Sequence, residues 1–148
     1  MSLLFRVIHQ TLPTQERVTR TKPGASTICR VQGCSANVTE DIPHALLYCP
    51  ANGRIGHNLL SCLREIQPGL QADAALRLEI QVEEEHELPV VWMLAPLLRI
   101  VWNLRKSRSK IRPYQVRSQL EAEINLLRET SYSLAVPKIE ELAEKVFP

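Results

Sequence analysis

The chain has few aromatic residues and few aspartates for its length. Its 148 residues include two Trp, three Tyr and two Phe, so a hydrophobic core must be built mainly from Leu, Ile and Val. The only aspartates are Asp41 and Asp73, and the Glu83–Glu85 run is more typical of a solvated turn than of the carboxylate cluster of a two-metal nuclease. Glycine-rich phosphate loops and Gly-x-Ser-x-Gly motifs are also missing. We therefore expect a protein that is not an enzyme.

Cysteine is scarce as well, but its distribution is uneven. Four cysteines in 148 residues are too few for a disulfide-stapled secreted domain. Three of them lie within the 21 residues from Cys29 to Cys49. The N-terminal residues lack the basic segment of a secretory signal. We therefore expect an intracellular protein, nuclear or cytoplasmic. In a reducing compartment, clustered cysteine indicates metal binding before a disulfide.

The formal net charge of +2 predicts no partner by itself, but the charges occur in blocks. Residues 79–87 carry five Glu and no base, whereas residues 99–117 carry seven Lys or Arg and no acid. A basic face of this kind is typical of proteins that contact phosphates. The alternative is that residues 105–117 are only a solvated linker between helices. The candidate nucleic-acid-binding residues are Arg17, Arg20, Lys22, Arg30, Arg105, Lys106, Arg108, Lys110, Arg112 and Arg117.

Apolar periodicity predicts a mostly α fold: a small helical domain with a Cys₃His zinc knuckle near the N-terminus, and three to four longer helices after it. The predicted helices cover residues 2–10, Gln15–Arg20 (capped by Thr14), Ile42–Tyr48, Arg54–Ile66, Leu88–Leu104 (kinked near Pro96), a segment that begins at Pro113, and Pro137–Phe147. Strict alternation from Leu76 to Val82 predicts a strand or an extended arm.

These elements predict three regions. Residues 1–66 form a zinc-knuckle helical domain, residues 67–87 an acidic linker or extended arm, and residues 88–148 a C-terminal helical region. A membrane span is the alternative for the third region, because Leu88 to Leu98 is eleven residues without a charge. A spanning helix needs about 20 apolar residues. We therefore expect a buried core helix and no membrane partner.

The spacing Cys29-x₄-Cys34-x₉-His44-x₄-Cys49 predicts a zinc site. Three thiolates and one imidazole supply the four ligands of a closed structural zinc centre. Gly33 permits a positive φ in the turn before Cys34. On an ideal α-helix His44 and Cys49 would point about 140° apart, so the chain must leave the helix near Cys49, where Pro50 follows.

Two alternatives accompany this prediction. The four residues can be read as buried free cysteines and a surface histidine, although the polar residues between Cys34 and His44 are poor core material. His57 and Cys62 repeat the His-x₄-Cys spacing and suggest a second half-site. We favour core packing for Cys62, which lies on an apolar stripe with Leu59, and a solvated helix face for His57.

Two segments, LFRVIHQTLPTQERVTR and CRVQGCSANVTEDIPHALLYCP, carry a family resemblance. They resemble the zinc-binding domain found at the C-terminal side of reverse transcriptases of non-LTR retrotransposons, over about a third of the chain. The family's first pair is usually Cys-x₂-Cys, whereas Cys29 and Cys34 are spaced x₄, which enlarges the turn. The matching positions are Phe5, His9, Leu12-Pro13-Thr14, Arg17, Arg20, Cys29, Cys34, Glu40, His44, Leu46-Leu47 and Cys49-Pro50.

The resemblance implies a C-terminal fragment of a retroelement protein whose polymerase domain is absent. A polymerase palm holds two magnesium ions with paired aspartates, and this chain has no Asp-Asp pair. Our first hypothesis is therefore a non-catalytic, zinc-binding accessory module that binds RNA or DNA. The alternative is a structural or protein-interaction domain without nucleic-acid binding, which would have packed on the polymerase domain of the parent polyprotein. Trp92, Trp102 and Tyr114 are candidates for base stacking, although core packing is favoured for both tryptophans.

Overall fold

The computed structural model describes residues 12–35, 37–77, 79–80 and 84–148, and it confirms a mostly α-helical fold. The predicted helix over residues 2–10 lies outside the described residues. The α-helices are α1 (Gln15–Thr19), α2 (Ile55–Ile66), α3 (Ala72–Leu76), α4 (Glu84–Arg105), α5 (Pro113–Arg128) and α6 (Val136–Val146). A π-helix covers His44–Tyr48, and 3₁₀-helices cover Pro50–Asn52 and Ser133–Ala135.

The predicted helices that begin at Pro113 and at about Pro137 are confirmed as α5 and α6. Proline opens α5, where its missing N–H leaves no unsatisfied donor, and it stands in the first turn of α6. The buried residues follow the three-and-four spacing of one helix face. They are Val116, Leu120, Ile124 and Leu127 on α5, and Val136, Ile139, Leu142 and Val146 on α6.

Helix α4 packs against α5, α6 and the π-helix and contributes several residues to the buried core. Met93 and Leu97 are fully buried, as expected for a core helix that continues through Pro89 and Pro96. The predicted kink near Pro96 stays a prediction. Among the described helices, none is both long enough and apolar enough to cross a bilayer.

One hydrophobic core contains residues from the predicted N-terminal domain (residues 1–66) and from the predicted C-terminal region (residues 88–148). Leu59 on α2, Leu97 on α4 and Leu142 on α6 belong to the same buried cluster. This cluster extends across the predicted boundaries at residues 66 and 88. The division into three regions stays a prediction.

The predicted strand from Leu76 to Val82 is wrong for the residues that the structure describes. Leu76 is the last residue of α3, whose backbone hydrogen bonds join Ala75 to Gln71 and Arg77 to Asp73. Leu78 and residues 81–83 lie outside the described part of the chain. The alternation was misleading because a helical turn can bury the adjacent Ala75 and Leu76 together, and no neighbouring strand is available among the described residues to pair with this segment.

Gly56 on α2 sits directly against the π-helix. A Cβ built on Gly56 would lie 2.1 Å from the carbonyl oxygen of Leu47 and 2.3 Å from its Cα. Both atoms are backbone, so they cannot move aside as the end of a flexible side chain could. Gly56 therefore sets the distance between α2 and the segment that carries His44 and Cys49.

We predict that Gly56→Ala destabilises the protein. Alanine favours a helix interior by about 1 kcal/mol over glycine, but the forced separation of two backbones costs about 1–3 kcal/mol or more. Urea unfolding should therefore show a net loss of stability. Ser61→Ala on the exposed face of α2 is the matched control and should be neutral or slightly stabilising. A Gly56→Ala protein at least as stable as the wild type would contradict the close approach.

Candidate metal centre

The structure brings the four predicted ligands together. The donor atoms of Cys29, Cys34, His44 and Cys49 all lie within 4.8 Å of one another. Cys29, His44 and Cys49 are buried and Cys34 is half-buried. These residues can hold a metal ion, and the enlarged Cys-x₄-Cys turn does not move Cys29 away from the other three donors.

The first pair of ligands lies on a loop closed by backbone hydrogen bonds. Cys29 donates its N–H to Val38 at 3.0 Å, next to an antiparallel bridge between Ile28 and Thr39. Gly33 has a φ of +91°, as predicted from its place in the turn. The N–H of Cys34 closes that turn on the carbonyl of Val31. We refer to residues 27–49 as the knuckle.

The second pair of ligands is joined by a π-helix. The N–H of Cys49 bonds the carbonyl of His44 at 2.8 Å, which is the i→i+5 bond of a π-helix. The wider turn offsets the misalignment that an α-helix would impose on two residues five apart. The predicted helical segment is confirmed, and Asp41 caps it by accepting the N–H of His44 at 2.8 Å.

Two of the distances between the donor atoms match those expected around a tetrahedral zinc ion. Zinc–sulfur bonds of about 2.3 Å and zinc–nitrogen bonds of about 2.05 Å place two sulfurs about 3.8 Å apart, and a sulfur and a nitrogen about 3.6 Å apart. The Sγ atoms of Cys29 and Cys49 are 3.9 Å apart. Cys34 Sγ and His44 Nε2 are 3.6 Å apart. The ligand types and their separations are therefore consistent with zinc.

Burial controls the protonation of two ligands. Burial, followed by the positive charge of Arg105, lowers the pKa of His44 and so favours the neutral imidazole that binds metals. Burial raises the pKa of the Cys29 thiol, although hydrogen bonds from the Val31 backbone and Arg105 act in the opposite direction. Binding of a metal at Cys29 therefore displaces a proton.

A buried ion pair between Arg105 and Glu40 lies next to the candidate metal centre and contacts Cys29. The Arg105 guanidinium, 3% exposed, donates to Glu40 Oε2 at 2.5 Å, to Asn52 Oδ1 at 2.9 Å and to Cys29 Sγ at 3.4 Å. Asn52 in turn donates to the carbonyl of Ala45 beside His44. Burial alone would lower the pKa of Arg105, but the Cys49 and Cys29 sulfurs and Glu40 raise it overall.

This position corrects the sequence-based expectation for Arg105. We expected Arg105 to contact phosphates, but its guanidinium is enclosed among Glu40, Asn52 and Cys29 and is not available to a nucleic acid. A basic residue at the end of an apolar helix gives no local signal of burial. Its acidic partner stands 65 residues earlier in the chain, so neither periodicity nor spacing could reveal the pair.

Glu40 also replaces Thr14 as the cap of α1. Thr14 occupies the predicted position but makes no capping hydrogen bond. Instead, the N–H of Gln15 donates to Glu40 Oε1 at 3.0 Å, and the N–H of Glu16 donates to the Glu40 carbonyl at 3.1 Å. Glu40, which is 25 residues away from Gln15, therefore accepts the hydrogen bond that local sequence predicts for the Thr14 side chain. Glu40 and Asn52 are the supporting residues that the metal-site prediction missed.

The residues considered for a second half-site are apart from the metal centre. Cys62 is buried between α2 and α6, with its Sγ 4.0 Å from the carbonyl of Leu142. Burial raises the pKa of its thiol. His57 is exposed on α2. Core packing for Cys62 and a solvated position for His57 are therefore confirmed.

The other candidate nucleic-acid-binding residues are exposed. Arg20 pairs with Glu16 and Arg117 with Glu121, both at the surface. Lys110 lies with its aliphatic stem across Gly33 of the knuckle. The exposed candidates are Arg17, Arg20, Lys22, Arg30, Lys106, Arg108, Lys110, Arg112 and Arg117.

The three aromatic candidates differ in their surroundings. Trp92 and Trp102 are half-buried and pack against the core, and Trp92 also contacts the ring of Tyr132. Tyr114 is 66% exposed.

Comparison of the chain with protein-family models, curated proteins and solved structures finds no match. The fold and the site define a helical protein with a Cys₃His group that can hold a metal ion.

We predict about one zinc ion per purified chain, with His44→Ala and Cys49→Ala each losing most of it. The physical reason is that a structural zinc contributes folding free energy directly, about 10 kcal/mol or more in small fingers. Elemental analysis, with unfolding before and after chelation, measures both quantities. Cys62→Ala is the control: it should keep the zinc and lose about 1–2 kcal/mol of stability. Zinc lost with Cys62→Ala but kept with Cys29→Ala would mean a different ligand set.

We also predict that Arg105→Met destabilises the zinc-loaded protein by about 3–5 kcal/mol, because it leaves the Glu40 carboxylate buried without its partner. Combining Arg105→Met with Glu40→Gln should cost less than the two single changes added together, which a double-mutant cycle in urea unfolding measures. Lys106→Met at the neighbouring exposed position is the control and should stay within about 0.5 kcal/mol of the wild type. Strict additivity would show that the two side chains are not coupled.

Proposed function

We propose that the protein is a non-catalytic accessory module in which a structural zinc ion organises a nucleic-acid-binding surface. The donor set supports zinc: three thiolates and one imidazole suit a closed, four-coordinate centre. Zinc bound there would stabilise the knuckle and leave no open coordination position for a substrate. Its role in this proposal is structural.

The observation that carries the nucleic-acid part of the proposal is where the knuckle places its basic residue. Arg30, next to the ligand Cys29, lines the same surface cleft as Lys106 and Arg108, which follow α4. The N–H of Gln32 bonds the carbonyl of Arg108 at 2.7 Å and holds the two segments together. A fold that gathers cations from distant parts of the chain at one place suits a phosphate backbone.

The resemblance to the zinc-binding domains of non-LTR retrotransposon reverse transcriptases supports the same proposal. The residues that carry it include the four ligands and Glu40, which the structure brings into one cluster with Arg105. In such a parent protein, the module would hold nucleic acid beside a polymerase domain. RNA and DNA remain equal candidates for the ligand.

A protein-interaction role is the second candidate, and it is favoured by exposed apolar side chains in the last turn of α5 and in the segment between α5 and α6. Leu126 is 65% exposed, Leu134 is 93% exposed and Tyr132 is 43% exposed. Exposed apolar surface of this kind is used in contacts with other proteins. A polymerase domain of the parent polyprotein is the partner that this candidate implies.

We predict weak binding of single-stranded RNA or DNA by the zinc-loaded protein, without strong sequence preference. Contacts with about five phosphates give a log–log salt slope near −3.5. Lys106→Glu combined with Arg108→Glu should flatten that slope by about one to two units, which fluorescence anisotropy at several salt concentrations measures.

The control must change the net charge equally without touching the cleft. Lys138→Glu with Lys145→Glu on α6 meets this condition, because both lysines form exposed ion pairs elsewhere. This variant should keep most of the salt slope. Equal slopes for all three proteins would mean that the exposed cations between α4 and α5 face only solvent, because Arg105 is buried and α5 begins at Pro113. Complete absence of binding at low salt would favour the protein-interaction role.

A further inference from the structure

A cleft beside the metal centre combines an aromatic ring with three cations. Its lining includes Arg30, Trp102, Lys106 and Arg108, together with Pro13 and Gln15. The buried Arg105–Glu40 pair also contributes to its lining. We refer to it as the Trp102 cleft.

The sequence of α4 explains how the cleft is built. Trp102 and Arg105 are spaced i and i+3 in the last turn of α4, and Lys106 follows the helix directly. Arg105 turns inward to Glu40, while Lys106 is exposed. Arg108 follows the helix end with a φ of +59°.

The charges in the cleft do not cancel. Glu40 is the acidic residue of its lining, and that carboxylate is already bound by Arg105. Arg30, Lys106 and Arg108 have no acidic partner among the residues that the structure describes. A ligand with several negative charges is therefore favoured.

The aromatic residue narrows the class of ligand. Trp102 packs against the core with part of its ring system, and it also lines the cleft. Cations beside an accessible indole form the combination that holds single-stranded nucleic acid, because every base offers a π-face for stacking while its phosphates meet the cations. The cleft volume of about 260 Å³ is slightly below the range of about 300–1,000 Å³ for small-molecule sites, which suits one base with its phosphate.

We infer that the Trp102 cleft binds one nucleotide of a single-stranded nucleic acid, with the base against Trp102 and the flanking phosphates against Arg30, Lys106 and Arg108. This inference rests on the proposed function and names the part of the surface that performs it. A base paired in a duplex is not free to enter the cleft. Single strands are therefore preferred, and an acidic peptide lacks the group that Trp102 would stack on.

Tryptophan fluorescence of the zinc-loaded, full chain gives a direct test. Trp92→Phe leaves Trp102 as the single tryptophan, since the chain contains two. Titration with an oligouridylate of about 10 nucleotides should quench Trp102. An abasic oligonucleotide of the same length and a polyglutamate peptide should not quench it, although both carry negative charge.

A pair of matched variants gives the second test. Trp102→Leu should weaken oligouridylate binding by about 5- to 150-fold and leave the salt slope unchanged, because stacking is lost while the phosphate contacts remain. Trp92→Leu removes the tryptophan that contacts Tyr132 instead, and it should keep the affinity. Trp102→Tyr retains an aromatic face and should recover part of the affinity, which a loss caused only by misfolding would not allow.

The outcomes separate the two proposals. Quenching by the oligouridylate alone, with affinity lost in Trp102→Leu and partly recovered in Trp102→Tyr, supports the cleft. Salt-dependent binding without quenching, or equal affinity in Trp102→Leu, overturns the cleft and leaves the proposed function standing. Equal quenching by polyglutamate overturns it in favour of an acidic protein partner. Absence of binding to every oligonucleotide overturns both.

Discussion

The contact between Arg105 and Glu40 is the interaction on which the arrangement of this protein depends. The Glu40 carboxylate receives the guanidinium through one oxygen and the first N–H of α1 through the other. Arg105 also reaches Cys29 and Asn52. One buried pair thus joins α1, the candidate metal ligands and the C-terminal end of α4. Because both charges are removed from water, each depends on the other for its compensation.

Much of the fold could be predicted from the sequence, because long amphipathic helices repeat their apolar residues every three or four positions. Helices α5 and α6 were both predicted from such a signal, and the prolines near their first turns marked where they begin. The four candidate metal ligands could be predicted for a different reason. They lie within 21 residues, so local spacing and ligand chemistry were sufficient to group them.

The remaining features depend on contacts that the local sequence does not encode. The π-helix that aligns His44 with Cys49 has the same apolar pattern as an α-helix, and its i→i+5 bond is visible only in the structure. The N-terminus of α1 is capped by Glu40, which is distant in sequence, and not by the adjacent Thr14 that local sequence predicts. The alternation after Leu76 covered too few residues to distinguish a strand from the end of a short helix.

The separation of Glu40 from Arg105 has a consequence for the order of folding during synthesis. All four ligands have been translated by residue 49, whereas the guanidinium that neutralises Glu40 arrives 65 residues after its partner. Closing the short loops between ligands costs less chain entropy than closing the long one between Glu40 and Arg105. If the four residues bind a metal ion, the nascent chain can therefore do so before Glu40 is paired with Arg105. Docking of the C-terminal end of α4 would then enclose a site that already holds its metal.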